Sequence, residues 1–200
     1  MEQRTIEWDA ARLGNATASK MNDIMATTKS GYSASRRNYA VRLALERLTQ
    51  RKTETWQNSE MQWGVDQEPN ARAAYEQARG VLVMEEGYVC HPTIPHSGAS
   101  PDGLVGDDGL VEIKCPKEAT HLENLLRPDP QYLNQMYWQM ACTGRKWCDF
   151  VSYDPRFPDH LQLAIHRVNH DAKKIAELEN EVVKFLKEVD EIVEKLNAIA

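Results

Sequence analysis

Residues 100–116, SPDGLVGDDGLVEIKCP, restrict the fold more than any other part of the chain. PDG and GDDG are both turn signals, and LVEIKCP alternates like a strand, so the stretch is predicted to form a hairpin. On its second arm Glu112 and Lys114 face the same side, about 7 Å apart at roughly 3.3 Å of rise per residue. A three-residue loop, Gly106-Asp107-Asp108, sets Asp102 opposite Glu112, whereas a two-residue loop pairs Gly103 with Glu112; the sequence leaves both registers open. In the first register Asp102, Glu112 and Lys114 form a cluster. Two carboxylates brought together repel unless a proton or a cation lies between them. Carboxylate oxygens completed by water are what Mg²⁺ or Mn²⁺ prefer, and a lysine beside them can hold or deprotonate a water. That is a layout for phosphodiester hydrolysis. A plain exposed hairpin also accounts for the Gly, Pro and Asp residues.

Around this hairpin the pattern alternates between helix and strand. ATASKMNDIMA (16–26) is predicted to be a short helix capped by Thr17, and SASRRNYAVRLALERLTQR (33–51) a longer one with Arg36, Arg37, Arg42 and Arg47 largely outside its apolar contacts. Residues 55–79 are helical in character, with Pro69 either kinking the helix or starting a new one. If helix continues, Gly64, Glu68, Ala71 and Tyr75 share a face. Strand-like runs cover 81–86, 87–91, 97–106 and 110–116, and later 147–154 and 161–168. Asp129-Pro130 makes a cap and first turn for a helix through residue 144.

The last helix, from about 171 to 200, spaces its apolar residues three and four apart, as a coiled-coil stripe does. It either packs on its own domain or makes a subunit contact. Together these elements predict an α/β (α+β) fold: a central mixed β-sheet of about five strands flanked by helices.

Two hundred residues suit one domain. The expected division is N-terminal helices over 1–55, a core over 56–168 and a C-terminal helix over 169–200. No apolar run reaches the roughly 18 residues of a membrane span, and the N-terminus lacks a secretion signal, so a cytoplasmic protein is expected. Four separated cysteines without a CxxC pair predict free thiols rather than disulfides or a zinc site. The net charge of −6 is unevenly spread: residues 1–60 hold 10 Lys/Arg against 7 Asp/Glu, and residues 61–170 hold 9 against 15. An acidic chain can still bind nucleic acid through one basic groove and bound cations.

Four segments in order, RLGNATASK (12–20), WGVDQEPNARAAYE (63–76), SPDGLVGDDGLVEIKCP (100–116) and QYLNQMYWQM (131–140), resemble the phage lambda-type alkaline exonucleases, or YqaJ-type viral recombinases, of the PD-(D/E)xK nuclease superfamily. WCDFVSYDPR (147–156) and the closing helix also fit, so the resemblance spans nearly the whole chain.

The resemblance implies Asp102 and Glu112 as metal ligands with the Ile113 carbonyl, and Lys114 as the residue that positions the attacking water. It adds Glu68 at the metal site and Gln135 and Tyr132 from the helix after Pro130. Arg12 and Ser19, with Thr17 beside them, would form a pocket for a 5′-phosphate; a guanidinium fork and a hydroxyl suit such a group. Arg36, Arg37 and Arg42 are looser candidates for the DNA backbone. By the same resemblance, the enzyme is a Mg²⁺-dependent (or Mn²⁺-dependent) 5′→3′ exonuclease with two ions per site. It would act as a homotrimeric ring on double-stranded DNA ends and pass its 3′ strand to a phage annealing protein. A PD-(D/E)xK endonuclease, an iron–sulfur nuclease and a non-catalytic DNA-end-binding protein are the alternatives.

Overall fold

The computed structural model describes residues 2–53 and 58–199. The N-terminal part holds α1 (Ile6–Arg12), β1 (Ala16–Thr17), a 3₁₀ turn (Ala18–Lys20), α2 (Met21–Met25), β2 (Thr27–Thr28), β3 (Gly31–Tyr32) and α3 (Ala34–Thr49). The middle holds α4 (Ser59–Arg79), β4 (Val83–Met84), β5 (Val89–Cys90), β6 (Ser97–Ala99), β7 (Gly103–Val105), β8 (Gly109–Lys114) and α5 (Glu118–Asn124). A 3₁₀ turn (Pro130–Tyr132) then leads into α6 (Leu133–Thr143), β9 (Trp147–Tyr153), β10 (Leu163–Asn169) and α7 (Ala172–Asn197).

Five strands form one mixed sheet in the order β10-β9-β8-β7-β4, in which only β8 and β9 run parallel. Both faces of its centre are covered, so β8 and β9 are buried almost throughout and side chains divide between the faces with period two. Val111, Ile113, Val151 and Tyr153 pack with Ala71 and Tyr75 of α4. Leu110, Cys148 and Phe150 pack with Met136 and Met140 of α6. Glu112 follows the alternation of Leu110 and therefore faces α6.

Several expectations change in detail. Residues 16–26 are not one helix: Ala16–Thr17 pairs in parallel with Ser97–Gly98, and helix begins at Met21. Thr17 makes no side-chain cap; its backbone N–H donates to the Tyr39 hydroxyl. Residues 97–106 are two strands in two sheets, since β6 lies between β1 and β5. The chain crosses from one sheet to the other at Ser100-Pro101-Asp102, which brings Asp102 to the edge of the main sheet. α4 runs unbroken through Pro69 from an Asn58 cap to Gly80 at φ 65°. Its predicted start at Thr55 lies outside the described residues.

Arg36 is the plainest correction. It is buried, donating to the Ile24 carbonyl and to Glu181 and Glu188 of α7, so it joins α3 to α7 and is not available to a DNA backbone. The apolar stripe of α7 is used within the chain: Ile175, Leu178, Val182, Phe185 and Val189 are buried, whereas Leu196 and, just past the helix, Ile199 are exposed. All four cysteines are free. No described helix is long and apolar enough to cross a membrane.

Candidate active site

The hairpin adopts the three-residue loop. Gly103 pairs with Val111, Leu104 with Leu110 and Val105 with Gly109, leaving Gly106-Asp107-Asp108 as the turn and Asp102 one step beyond, level with Glu112. Gly103 and Gly109 are needed for close packing, because a Cβ would come within 2.1 Å of Val83 at the first and 2.2 Å of Trp147 at the second. The Ile113 N–H donates to Asp102 Oδ2 at 2.7 Å, which ties the end of one arm to the other.

Glu112 is fully buried, with a donor on each oxygen. Lys114 Nζ and Gln135 Nε2 (2.6 Å) donate to Oε1, and Gln139 Nε2 donates to Oε2 at 2.6 Å. Gln135 and Gln139 are one turn apart on α6, so a single helix face supplies both amides. The Lys114 ammonium lies 5.1 Å from the Tyr132 ring centroid, and Tyr132 itself stacks on Phe150. Burial pushes the Asp102 carboxyl up to about 8, and the negative charge of Glu112 adds to that. Burial works against the charged form of Lys114, but Glu112 and Asp102 outweigh it and hold the ammonium above its ordinary value.

These charges give a test of fit for a cation. Once both are ionised, Asp102 and Glu112 carry two negative charges against the single positive charge of Lys114, an imbalance a hard cation would relieve; burial first and the charge of Glu112 second hold the Asp102 carboxyl up. Among the described residues no three His, Cys, Asp or Glu side chains converge on one point. The side chains thus offer two carboxylates, and the remaining positions fall to backbone, water or substrate. Mg²⁺ accepts such a set.

Glu68 comes from α4 to a cavity of about 310 Å³ that Asp102 also lines. Its carboxylate is held by Arg4 and by Arg72 Nη2, the latter at 3.1 Å, and not by the hairpin. The structure thus brings Asp102, Glu112, Lys114, Gln135 and Tyr132 together and sets Glu68 beside them.

The N-terminal candidates form a second cavity of about 320 Å³. Arg12, Thr17, Ser19 and Arg42 line it with Trp8, Lys20 and Lys52. Arg12 lies over the Trp8 ring at 4.0 Å, and burial lowers its pKa. Arg42 is paired with Glu46, and Lys52 with Asp9. Arg37 is exposed and does not line this cavity.

Sequence reasoning missed Ser100 and Gln139. The Ser100 hydroxyl accepts from both Arg12 Nη1 and Trp8 Nε1 at 3.0 Å, two residues before Asp102, so it joins the cavity to the hairpin. Its place directly before PDG was the available signal. For Gln139 the signal was its four-residue spacing from Gln135.

A family model described as "YqaJ-like viral recombinase domain" matches residues 7–146. The crystal structure of an alkaline exonuclease, LHK-Exo, from Laribacter hongkongensis is 50% identical; the alignment covers 97% of each chain with a TM-score of 0.90. The same protein in complex with dAMP aligns with a TM-score of 0.91. A phage-related exonuclease from Haemophilus somnus 129PT, 14% identical over 91% of this chain and 96% of its own, shares the fold with a TM-score of 0.74. A search of curated proteins finds no match.

Proposed function

The chain belongs to the YqaJ-like viral recombinase family, and from that premise we propose that it is a Mg²⁺-dependent 5′→3′ exonuclease acting on double-stranded DNA ends. It releases 5′-mononucleotides and leaves a 3′ single strand. The observation that carries the reading is the meeting of Asp102, Glu112 and Lys114 at the hairpin, with Gln135 on the same carboxylate.

Asp102 and Glu112 would hold Mg²⁺, or Mn²⁺ in its place, with the Ile113 carbonyl; two ions per site would also draw on Glu68. When bound, the metal neutralises the scissile phosphate and lowers the pKa of the attacking water. Lys114, kept charged by the two carboxylates, donates to that water and then to the charge developing on phosphorus-bound oxygen. Gln135 and Tyr132 flank it and orient the strand. Arg12, Ser19 and Thr17 receive the terminal 5′-phosphate; Ser100 links that pocket to Asp102 and so sets the distance from strand end to cut. Arg37 and Arg42 contact the DNA backbone.

The chain works as one nuclease domain, and as a homotrimeric ring it can stay threaded on duplex. In a bacterial host cytoplasm it would hand the 3′ strand to a phage annealing protein.

The test is digestion of linear duplex with Mg²⁺, comparing 5′-phosphorylated ends, 5′-hydroxyl ends and closed circles, with Lys114→Ala alongside. Mononucleotides from phosphorylated ends, none from circles, and loss in the variant are expected. Cutting of circles would instead assign an endonuclease, and inactivity of folded protein with either metal would overturn the reading.

A further inference from the structure

Gln139 is fully buried, in a layer otherwise built from Met136, Met140, Cys148 and Phe150. A glutamine in such a place costs free energy unless its amide is satisfied at both ends. Here both ends are engaged: Nε2 donates to Glu112 Oε2 at 2.6 Å, and Oε1 accepts from Cys148 Sγ at 3.9 Å. The reverse orientation would set two oxygens against each other, so the amide is held one way round.

Oε1 of Glu112 already has Lys114 and Gln135, so among the described residues Oε2 depends on Gln139 alone for a side-chain donor. The neutrality of that donor matters. An arginine or lysine would complete the cancellation of Asp102 and Glu112 and remove the excess negative charge that attracts a cation. A carboxylic acid would compete for the proton or the metal. An amide fixes the direction of the carboxylate and leaves its charge untouched.

We infer that Gln139 is a positioning residue for the metal site, holding the Glu112 carboxylate from behind in the orientation that binds the ion. The inference rests on the reading of Glu112 as a metal ligand. Donors behind a ligating carboxylate typically change metal affinity or activity by about 10–100-fold when removed.

Mn²⁺ binding to the whole protein without DNA, followed by the electron paramagnetic resonance of the free ion, tests it directly. Gln139→Met keeps the length of the side chain and removes the donor; Gln139→Glu keeps its shape and adds a competing acid. Both are expected to weaken Mn²⁺ binding about tenfold or more and to lower kcat with little change in KM for DNA ends. Glu112→Gln is the control for the underlying reading. If Glu112→Gln leaves Mn²⁺ affinity unchanged, Glu112 is not a ligand and the premise fails. If Glu112→Gln weakens binding while both Gln139 variants fold and bind Mn²⁺ within twofold of wild type, Gln139 only fills the core and the inference is overturned.

Discussion

Glu112 and Asp149 are both fully buried carboxylates on the parallel strands β8 and β9, and they face opposite sides of the same sheet. Asp149 is met by Arg167 through Nε at 2.8 Å and Nη2 at 2.9 Å, and by the Tyr75 hydroxyl at 2.9 Å, with Arg79 at 3.9 Å. Arg167 is itself stacked on Trp147. Those fixed groups cancel the charge of Asp149 and pin α4 and β10 to the sheet. Glu112 has two neutral amides and one lysine, and that lysine is shared with Asp102. With Asp102 ionised, one lysine serves two carboxylates, so the charge of the pair is hydrogen-bonded but not cancelled. Burial alone therefore does not separate a chemical carboxylate from a structural one; the balance of charge around it does.

The largest expected effects test that division. Lys114→Ala and Glu112→Gln should each cost about 10³-fold in exonuclease rate, about 4 kcal/mol of transition-state stabilisation, and Glu112→Gln, which removes one of two crowded carboxylates, should melt near the wild-type temperature. Asp149→Asn should do the opposite. Breaking a buried pair costs about 3–5 kcal/mol, and because Arg167 remains partly exposed we expect about 2–3 kcal/mol here. Urea unfolding alongside the rate per folded molecule measures both. An Asp149→Asn protein that is stable and inactive would erase the distinction.

A second expectation concerns pH. Asp102 shares the uncancelled charge of Glu112, and its carboxyl is raised from 3.8 to about 8. Between those values the folded protein holds a proton that the unfolded chain has released. Stability in EDTA should therefore fall as pH rises from about 4 towards about 8. Mg²⁺ should restore stability at the alkaline end, where the carboxyl is free to bind it. Asp102→Asn should flatten the slope and Asp149→Asn should leave it in place, as unfolding midpoints at pH 5 and pH 8 would report.

Legibility follows the same line between local and distant contacts. The hairpin could be read because its turns, its strand period and its charged residues lie within seventeen positions, and the choice of loop length then set Asp102 against Glu112. The helical stretch that carries Tyr132 and Gln135 could be read from the Asp129-Pro130 start, but their place at the site came only with the family resemblance. Arg36 could not be placed, since its partners Glu181 and Glu188 lie 145 and 152 residues away. The helices α1 and α5 have seven residues each, too short for a periodic signal. The split of 97–106 depends on two sheets that both take strands from far along the chain. Asp149 looked like any polar residue in a strand, because nothing near it in sequence announces Tyr75 or Arg167.

The smallest effect probes the structural carboxylate most finely. Tyr75 reaches Asp149 from α4, and burial together with the charge of Asp149 pushes its hydroxyl well above the ordinary tyrosine value, so it stays a donor throughout the working pH range. Tyr75→Phe removes that single hydrogen bond and leaves the ring packed with Ala71, Val111 and Val151. Asp149 keeps both bonds to Arg167, so the cost should be about 1 kcal/mol and not the larger loss of Asp149→Asn. Glu68 lies on the same helix, two turns before Tyr75. If Asp149 serves only to fix α4, the Tyr75→Phe enzyme should melt slightly earlier and keep its rate and its Mg²⁺ half-saturation. A shift in Mg²⁺ half-saturation would mean that α4 transmits the state of the structural carboxylate to Glu68, and that the two faces of the sheet are not independent.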